Sequence, residues 1–279
     1  MRYAIPTMLT SFMFAGSAYA AGMMDALMPD NAPSVVGLAV GVVPDYQGSD
    51  DYTVGVAPMA RYQFKDSNRY VLLMANELSL NLLNSPAWRA GPVLNYSFGR
   101  KDVEDDVVDR METLDGFLEY GAFIQYVSVD QQNPRNRWSI GLTGLTNSES
   151  GNEGYRIRLG AQYFRQVRPA VDINLGVGMW YADSDWNDYY FGVNAGNIGN
   201  ANVGNPNPLP FHSADGGVNQ VFANVGAIVY LSKNWALAGG LRYSNIPGDA
   251  GDSPLVGGTN GRGSEHQWVG GIGVTYLAW

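Results

Sequence analysis

The stretch GMWYADSDWNDYYFGV, residues 178–193, sets three aspartates (Asp183, Asp185, Asp188) among aromatic residues that include Trp180, Tyr181, Trp186, Tyr189 and Tyr190. Such a composition suits a carbohydrate cleft with catalytic acids, a calcium loop, or a turn at a membrane boundary. The calcium reading starts well, since Asp183-x-Asp185-x-Asn187 matches the first half of a calcium-loop pattern. It fails at two fixed positions. The sixth, which needs glycine for a sharp turn, is Asp188, and the twelfth, which needs a bidentate glutamate, is Asn194. A glycosidase needs two carboxylates at a set separation across the sugar, and spacing along the chain does not supply it. A polar turn flanked by interfacial aromatics is the reading these residues carry best.

Other residues capable of chemistry are sparse. The chain has two histidines, His212 and His266, and no cysteine. His212-Ser213-Ala214-Asp215 contains the residue types of a hydrolytic triad, but as neighbours in one loop they do not converge as nucleophile, base and orienting acid must. His266 follows Glu265 at the entry of the last expected strand. The run from Gly257 to Gly263 lacks the Gly-Lys-Ser/Thr and the helix of a phosphate loop, and reads as a surface loop. Without cysteine there is no disulfide framework, thiolate metal site or Cys nucleophile. No catalytic, cofactor-binding or metal-ligating residue is assigned, and the chain reads as a non-enzyme. Its strongest charge run is GRKDVEDDVVDRMETLD, residues 99–115, with Asp102, Glu104, Asp105, Asp106 and Asp109. Such runs are most often simply solvated.

What must position these residues is a set of strands, because alternation with period two dominates the chain. Val171, Ile173, Leu175, Val177, Met179 and Tyr181 share one face, and Asp172, Asn174, Gly176 and Gly178 the other. Tyr155, Ile157, Leu159, Ala161 and Tyr163 oppose Arg156, Arg158, Gly160 and Gln162 in the same way. Leu72, Met74, Leu78, Leu80 and Leu82 are read as one face of a single strand, against Glu77, Ser79 and Asn81. Aromatics gather at strand ends: Trp88 and Phe98 bracket one strand, Tyr52 and Phe64 another, and Trp138, Tyr155, Trp235, Tyr243 and Trp268 lie near boundaries. A soluble sandwich also alternates, but two aromatic girdles around an outward apolar band mark an all-β transmembrane antiparallel barrel. The expected strands are 34–44, 52–65, 69–82, 87–98, 116–129, 136–147, 154–166, 170–182, 187–195, 217–231, 234–246 and 264–279. Twelve is an even number, as bacterial barrels require. The inward residues Arg61, Glu77, Arg89, Glu119, Arg156, Arg158, Asp172 and Arg242 carry both signs of charge, which favours an ionic network plugging the lumen, or a narrow path, over wide conduction.

Bulk properties agree. The first twenty residues, MRYAIPTMLTSFMFAGSAYA, read as a secretory signal peptide cleaved after Ala20, followed by a periplasmic segment 21–33 and the barrel from 34 to 279. Removal of that peptide takes Arg2 with it and moves the net charge from −9 to −10, a poor balance for nucleic-acid binding. Apolar residues are 46% of the chain without an uninterrupted run long enough for a membrane helix in the mature part, which excludes a helical bundle.

Five stretches, PDYQGSDDY (44–52), GPVLNYSFGRKDVEDD (91–106), FLEYGAF (117–123), ADSDWNDYYFGV (182–193) and NWALAGGLRYSNIPGDAGDSPLV (234–256), together resemble the MltA-interacting protein / OmpV family of outer-membrane proteins. The resemblance covers nearly the whole mature chain. It implies an outer-membrane barrel in contact with lipid in a Gram-negative envelope. For the best-known branch it implies a scaffold joining a lytic transglycosylase to a murein synthase, and for others an adhesin or surface antigen acting through outer loops. The last residue is Trp279, where outer-membrane chains usually end in Phe, so an aromatic terminus is kept.

With twelve such strands and both ends in the periplasm, the connections after the fourth and eighth strands fall on the periplasmic side. Asp102, Glu104, Asp105, Asp106, Asp183, Asp185 and Asp188 are then expected to form an acidic docking face there, with Trp186 as an anchor for a basic partner. The alternative for the same residues is a solvated turn.

Overall fold

Period-two alternation puts successive side chains on opposite faces, and a sheet with one apolar and one polar face buries its backbone in lipid only by closing on itself. In the computed structural model of the chain, residues 34–147 and 153–278 are described. The expected signal peptide, the segment 21–33 and Trp279 lie outside the described residues. The strands are β1 (Ser34–Pro44), β2 (Tyr52–Gln63), β3 (Tyr70–Met74), β4 (Glu77–Asn81), β5 (Trp88–Ser97) and β6 (Phe117–Val129). They continue as β7 (Arg137–Thr146), β8 (Tyr155–Arg168), β9 (Val171–Ala182), β10 (Gly217–Tyr230), β11 (Trp235–Asn245) and β12 (His266–Ala278). Each pairs antiparallel with its sequence neighbours, and β1 closes the barrel against β12 from Ser34↔Ala278 to Val42↔Gly270.

The count of twelve is as expected, but two members differ. The run 69–82 is a hairpin of two short strands, not one strand. Ala75 takes a left-handed φ of 52° at its tip, and the Asn76 amide donates to Asn95 Oδ1 (3.0 Å) and to the Tyr96 carbonyl (2.7 Å), clamping the turn to β5. The turn also reverses facing: Met74 pairs with Glu77 and Leu72 with Ser79 on the inner side, whereas Leu78 is exposed outward, so these leucines do not share one face. The run 187–195 is not a strand either. It overlaps helix α1 (Ser184–Phe191), whose N-cap Asp183 accepts the backbone N–H of Trp186 (3.0 Å). Trp186 and Tyr190, four apart, stack on one face of that helix (5.3 Å between centroids). A short helix α2 (Gly248–Gly251) lies between β11 and β12.

One strand gained and one lost leave the number even but change the side of everything between them. The connections 64–69, 82–87, 130–136, 169–170 and 231–234 share an end with Ser34 and Ala278, here called the turn end. The connections 45–51, 75–76, 98–116, 183–216 and 246–265, and the described ends of 147–154, lie the other way, at the loop end. Residues 99–115 and 182–188 therefore stand together, as expected, but at the loop end, away from Ser34 and Ala278.

Leu175 and Val177 are exposed on the outer surface, and Asp172 and Asn174 are buried inside. Rings form both girdles. Tyr62 with Phe64, Trp88 with Tyr126 and Trp138, and Trp235 with Tyr276 gather at the turn end; Tyr96 with Phe98, Tyr155 with Tyr181, and Tyr243 with Trp268 gather at the loop end. Leu175→Arg puts a charge in the middle of the apolar band and is expected to cost about 2–4 kcal/mol. Denaturant titration of the barrel refolded in lipid vesicles measures it, and an unchanged midpoint would overturn the assigned facing.

Candidate functional site

The loop end is a packed dome. Tyr46, Val103, Val107, Val108, Met111, Val193 and Leu255 form one apolar cluster there, and Ala182, Trp186, Tyr190, Phe191, Ile246 and Val256 another. Long connections ordinarily cannot bury much apolar surface, so these depend on cross-links between loops. Asp105 accepts the N–H groups of Val107 and Val108 (2.9 Å each) and pairs with Arg262 (2.6 Å), tying 98–116 to 246–265. The Asp105 hydrogen bond is also what chiefly raises the affinity of Arg262 for its proton. Arg100, buried at 3% exposure, donates to the Tyr190 carbonyl (3.0 Å), and burial lowers its hold on the proton. Tyr46 donates to the Leu255 carbonyl (3.0 Å), and burial pushes its phenol up. Asp45 accepts the N–H of Glu104 (2.9 Å); burial raises its carboxyl, with that hydrogen bond acting against the rise.

Trp186 joins the dome to the lumen. It is 1% exposed and its indole N–H donates to Glu119 Oε1 (3.3 Å). Glu119, fully buried on β6, is also paired with both arms of Arg156 on β8, with Nε at 2.7 Å, and accepts from Asn95 on β5 (2.7 Å). Arg156 stacks on Trp180 (4.4 Å) and approaches Trp186 (5.1 Å). Below this level Glu77 pairs with Arg158 (3.0 Å), and Arg242, stacked on Phe222 (3.7 Å), donates to Gln220 (3.0 Å). The β1–β3, β10 and β12 walls fill the interior with Val35, Met59, Met74, Ile228, Val269 and Leu277. At the turn end Asp172 pairs with Arg135 (2.7 Å) and accepts from Tyr230 (3.0 Å).

The residues expected to form an acidic docking face divide. Asp102, Glu104, Asp106 and Asp185 are exposed. Asp105 and Asp183 hold backbone N–H groups, and Asp188 accepts that of Ala214 (3.1 Å). Trp186 is enclosed and is not a surface anchor. The sequence reading puts the docking face on the side of the two chain ends, and the strand directions reverse that placement: carboxylates outnumber cations in all five longer loop-end connections, while Lys65, Arg69, Arg135 and Lys233 mark the turn end. Glu112 and Glu153, passed over in the sequence, line a cleft of about 730 Å³ with Asp185, Asp188 and Tyr189. Only the meeting of three loops reveals them. His212 Nε2 contacts the Asp249 carbonyl (2.7 Å), joining two loops, and His266 Nδ1 the Tyr243 hydroxyl (2.8 Å), joining β12 to β11, so the two histidines serve separate contacts.

The family model described as "MltA-interacting protein MipA" matches residues 36–278. No curated protein matches the chain. Among solved structures, the NanC porin is similar at 9% identity over 87% of this chain and 100% of its own, with a TM-score of 0.47. The CymD monoaromatic hydrocarbon channel is similar at 11% identity over 96% and 99%, TM-score 0.44. The translocator domain of autotransporter NalP from Neisseria meningitidis is similar at 10% identity over 93% of both chains, TM-score 0.44. These likenesses concern the barrel alone.

Glu119→Ala strands Arg156 in the interior without its carboxylate, and breaking a buried pair in this way is expected to cost about 3–5 kcal/mol. Urea titration of the micelle-bound protein reads the loss, and protease trimming of residues 183–216 should speed up with it. A wild-type midpoint would show that the lumen does not depend on this pair. For Asp45 the raised carboxyl stabilises the dome fully below the unfolded value of about 3.9 and ceases to do so as pH rises through the folded value. Thermal midpoints of the wild type and Asp45→Asn, compared from pH 3 to 7, should converge in slope only if another group carries this dependence.

Proposed function

Given that the chain belongs to the MltA-interacting protein family, we propose that it is a non-enzymatic interaction protein of the outer membrane, its barrel an anchor and its turn end the periplasmic side on which a lytic transglycosylase is held. The family match over residues 36–278 is the observation that carries this reading. The short turns support the orientation, since outer-membrane barrels keep short turns in the periplasm and longer loops outside. A filled lumen and a packed dome speak against wide conduction as the main activity. Bridging of the hydrolase to a murein synthase belongs to the same reading. The periplasmic end is basic in this orientation, so the partner surface it suits is acidic, with steering that salt screens beyond about 8 Å.

A second reading has one specific support. Val203 and Phe211, at 67% and 68% exposure, stand out from the dome in the 183–216 connection, at the same end of the barrel as exposed Asp102, Glu104, Asp106 and Asp185. Exposed apolar side chains at loop tips suit a surface that meets an external ligand, as an adhesin's does.

Capture from envelope extracts separates the two. Immobilised protein should retain a murein hydrolase. Lys65→Gln/Arg168→Gln/Lys233→Gln should reduce that capture several-fold, whereas Val203→Ser/Phe211→Ser should leave it intact. Capture that follows the dome variant instead, or no hydrolase at all, would move the function to the outer loops.

A further inference from the structure

On the lipid-facing wall, the meeting of β10, β11, β12 and β1 leaves a furrow of about 800 Å³ lined only by apolar residues and glycine. The strand register accounts for it. Outward-facing Gly270 lies between Val42 of β1 and Leu241 of β11, and outward-facing Gly239 between Ile272 of β12 and Ala227 of β10. The floor of Gly270, Gly239 and Ala227 thus descends diagonally across three strands, with the exposed branched side chains of Leu241 and Ile272 standing on either side.

Toward the loop end the same wall carries a cluster of rings. Trp268, two residues from Gly270 on the same face of β12, packs against its cross-strand partner Tyr243 (5.0 Å between centroids). Tyr243 stacks on His266 (6.0 Å, 19° between planes) and meets its Nδ1 through the hydroxyl (2.8 Å). Tyr52 reaches over from β2, its hydroxyl accepting the N–H of Trp268 (3.2 Å) beyond the last pairing of β1 with β12. Two residues of a strand rise roughly 7 Å, so the rings stand at the head of the furrow.

The furrow is continuous with the apolar band of the barrel, so hydrocarbon is what meets it. A methylene on a flat row of valines touches protein on one side, whereas in a furrow it touches protein on three, and dispersion adds with each contact. The volume lies within the range of about 300–1,000 Å³ that sites for small molecules occupy. At its head the chemistry changes. The outward residues of β11 and β12 include Tyr243, Asn245, His266 and Trp268 but no Lys, Arg, Asp or Glu, and the loops beyond are acidic. A phosphate headgroup finds no cation there and is repelled by those loops. An uncharged sugar lays its C–H face on a ring and gives its hydroxyls to the tyrosine, histidine and asparagine tips.

We propose that the furrow and its rings form a binding site for one molecule of glycolipid, its acyl chain laid across Gly270, Gly239 and Ala227 and its uncharged sugar against Trp268, Tyr243 and His266. The site is independent of whether a murein hydrolase binds the protein.

The full chain, refolded in a zwitterionic detergent, is mixed with a monoglucosyl diacylglycerol or with a phosphatidylglycerol carrying the same acyl chains, and the lipid retained is counted by native mass spectrometry. One glycolipid per barrel is expected, with phosphatidylglycerol retained several-fold less. Ala227→Leu/Gly239→Leu fills the furrow from outside; a Cβ at Gly239 meets nothing closer than the Ile272 side chain at 3.4 Å, an ordinary contact. That variant should lose most of the retained glycolipid, and Trp268→Leu should lower glycolipid retention while leaving phosphatidylglycerol unchanged. Trp138→Leu, in the girdle at the turn end, should retain glycolipid as the wild type does. Folding of each variant is read from the heat-dependent mobility of the barrel on gels. Glycolipid retained no better than phosphatidylglycerol overturns the proposal, as does wild-type retention by a folded Ala227→Leu/Gly239→Leu. Sedimentation velocity supplies a further check: a wild-type dimer that the furrow-filling variant dissociates would show that a second copy covers this wall, and would equally overturn it. If the double variant does not fold, the single Gly239→Leu decides by the same criteria.

Discussion

A carboxylate enclosed in a barrel interior has to be neutralised and hydrogen-bonded, or it will not ionise there. Glu119, on β6, meets this condition with groups from three other elements: Asn95 from β5, Arg156 from β8 and Trp186 from α1. The constraint runs outward from that point. Arg156 is held over Trp180, the indole of Trp186 is drawn down into the lumen mouth, and Trp186 brings α1 with it. Tyr190 and Phe191 on the same helix then seed the apolar cluster on which the loops between β9 and β10 and between β11 and β12 settle. The dome is thus an extension of the lumen's charge pairing and not a separate layer. Energy spent in desolvating one carboxylate is recovered in the order it imposes on loops that would otherwise have little apolar surface to bury.

The two ends of the cylinder differ in charge as well as in length. Carboxylates prevail in every long loop, while arginines and lysines prevail among the turns and the strand ends next to them. Inside, each carboxylate near the turn end or the middle is already matched: Asp172 with Arg135, Glu77 with Arg158. The overall −9 of the chain therefore conceals a strongly polarised molecule. A net charge read from composition gives the sign of the whole and hides the sign that each side of a membrane would meet.

Much of the fold was legible because lipid imposes one rule on every strand. Ile173 and Leu175 outside, Asp172 and Asn174 inside, and rings at strand ends all follow from period two, and local sequence is enough to read it. What escaped lies where a second principle competes. Met74-Ala75-Asn76-Glu77 turns without glycine or proline because Asn76 hydrogen-bonds to β5, a partner nineteen and twenty residues away. Residues 187–195 contain enough aromatics to pass for a strand, and only the Asp183 cap and the four-residue spacing of Trp186 and Tyr190 identify the helix that overlaps them. The candidate site was less legible still. Asp105, Asp183 and Asp188 looked like members of one acidic surface with Asp102 and Asp106, but their oxygens serve backbone N–H groups, a distinction that depends on tertiary contacts. The reversal of sides came from the same two misread segments, since one strand more before residue 99 turns over each connection that follows until the missing strand at 187–195 turns the rest back.

The hairpin of β3 and β4 also makes the cylinder lopsided. Five residues at about 3.3 Å each rise roughly 16 Å, while the apolar band of such barrels is about 25 Å tall. Above Ala75 and Asn76, the flank of β2 from Tyr52 to Pro58 extends beyond its pairing with β3, and Val54 there is among the most exposed apolar side chains on the molecule. Lipids on this side face a low sill with a polar asparagine at its crest; those around β8 to β12 face a full-height wall. A bilayer accommodates such a difference by thinning or by letting headgroups dip, at a modest cost for each ångström of mismatch. Any such adjustment falls on one flank of the cylinder, so its cost is directional rather than shared evenly around the barrel.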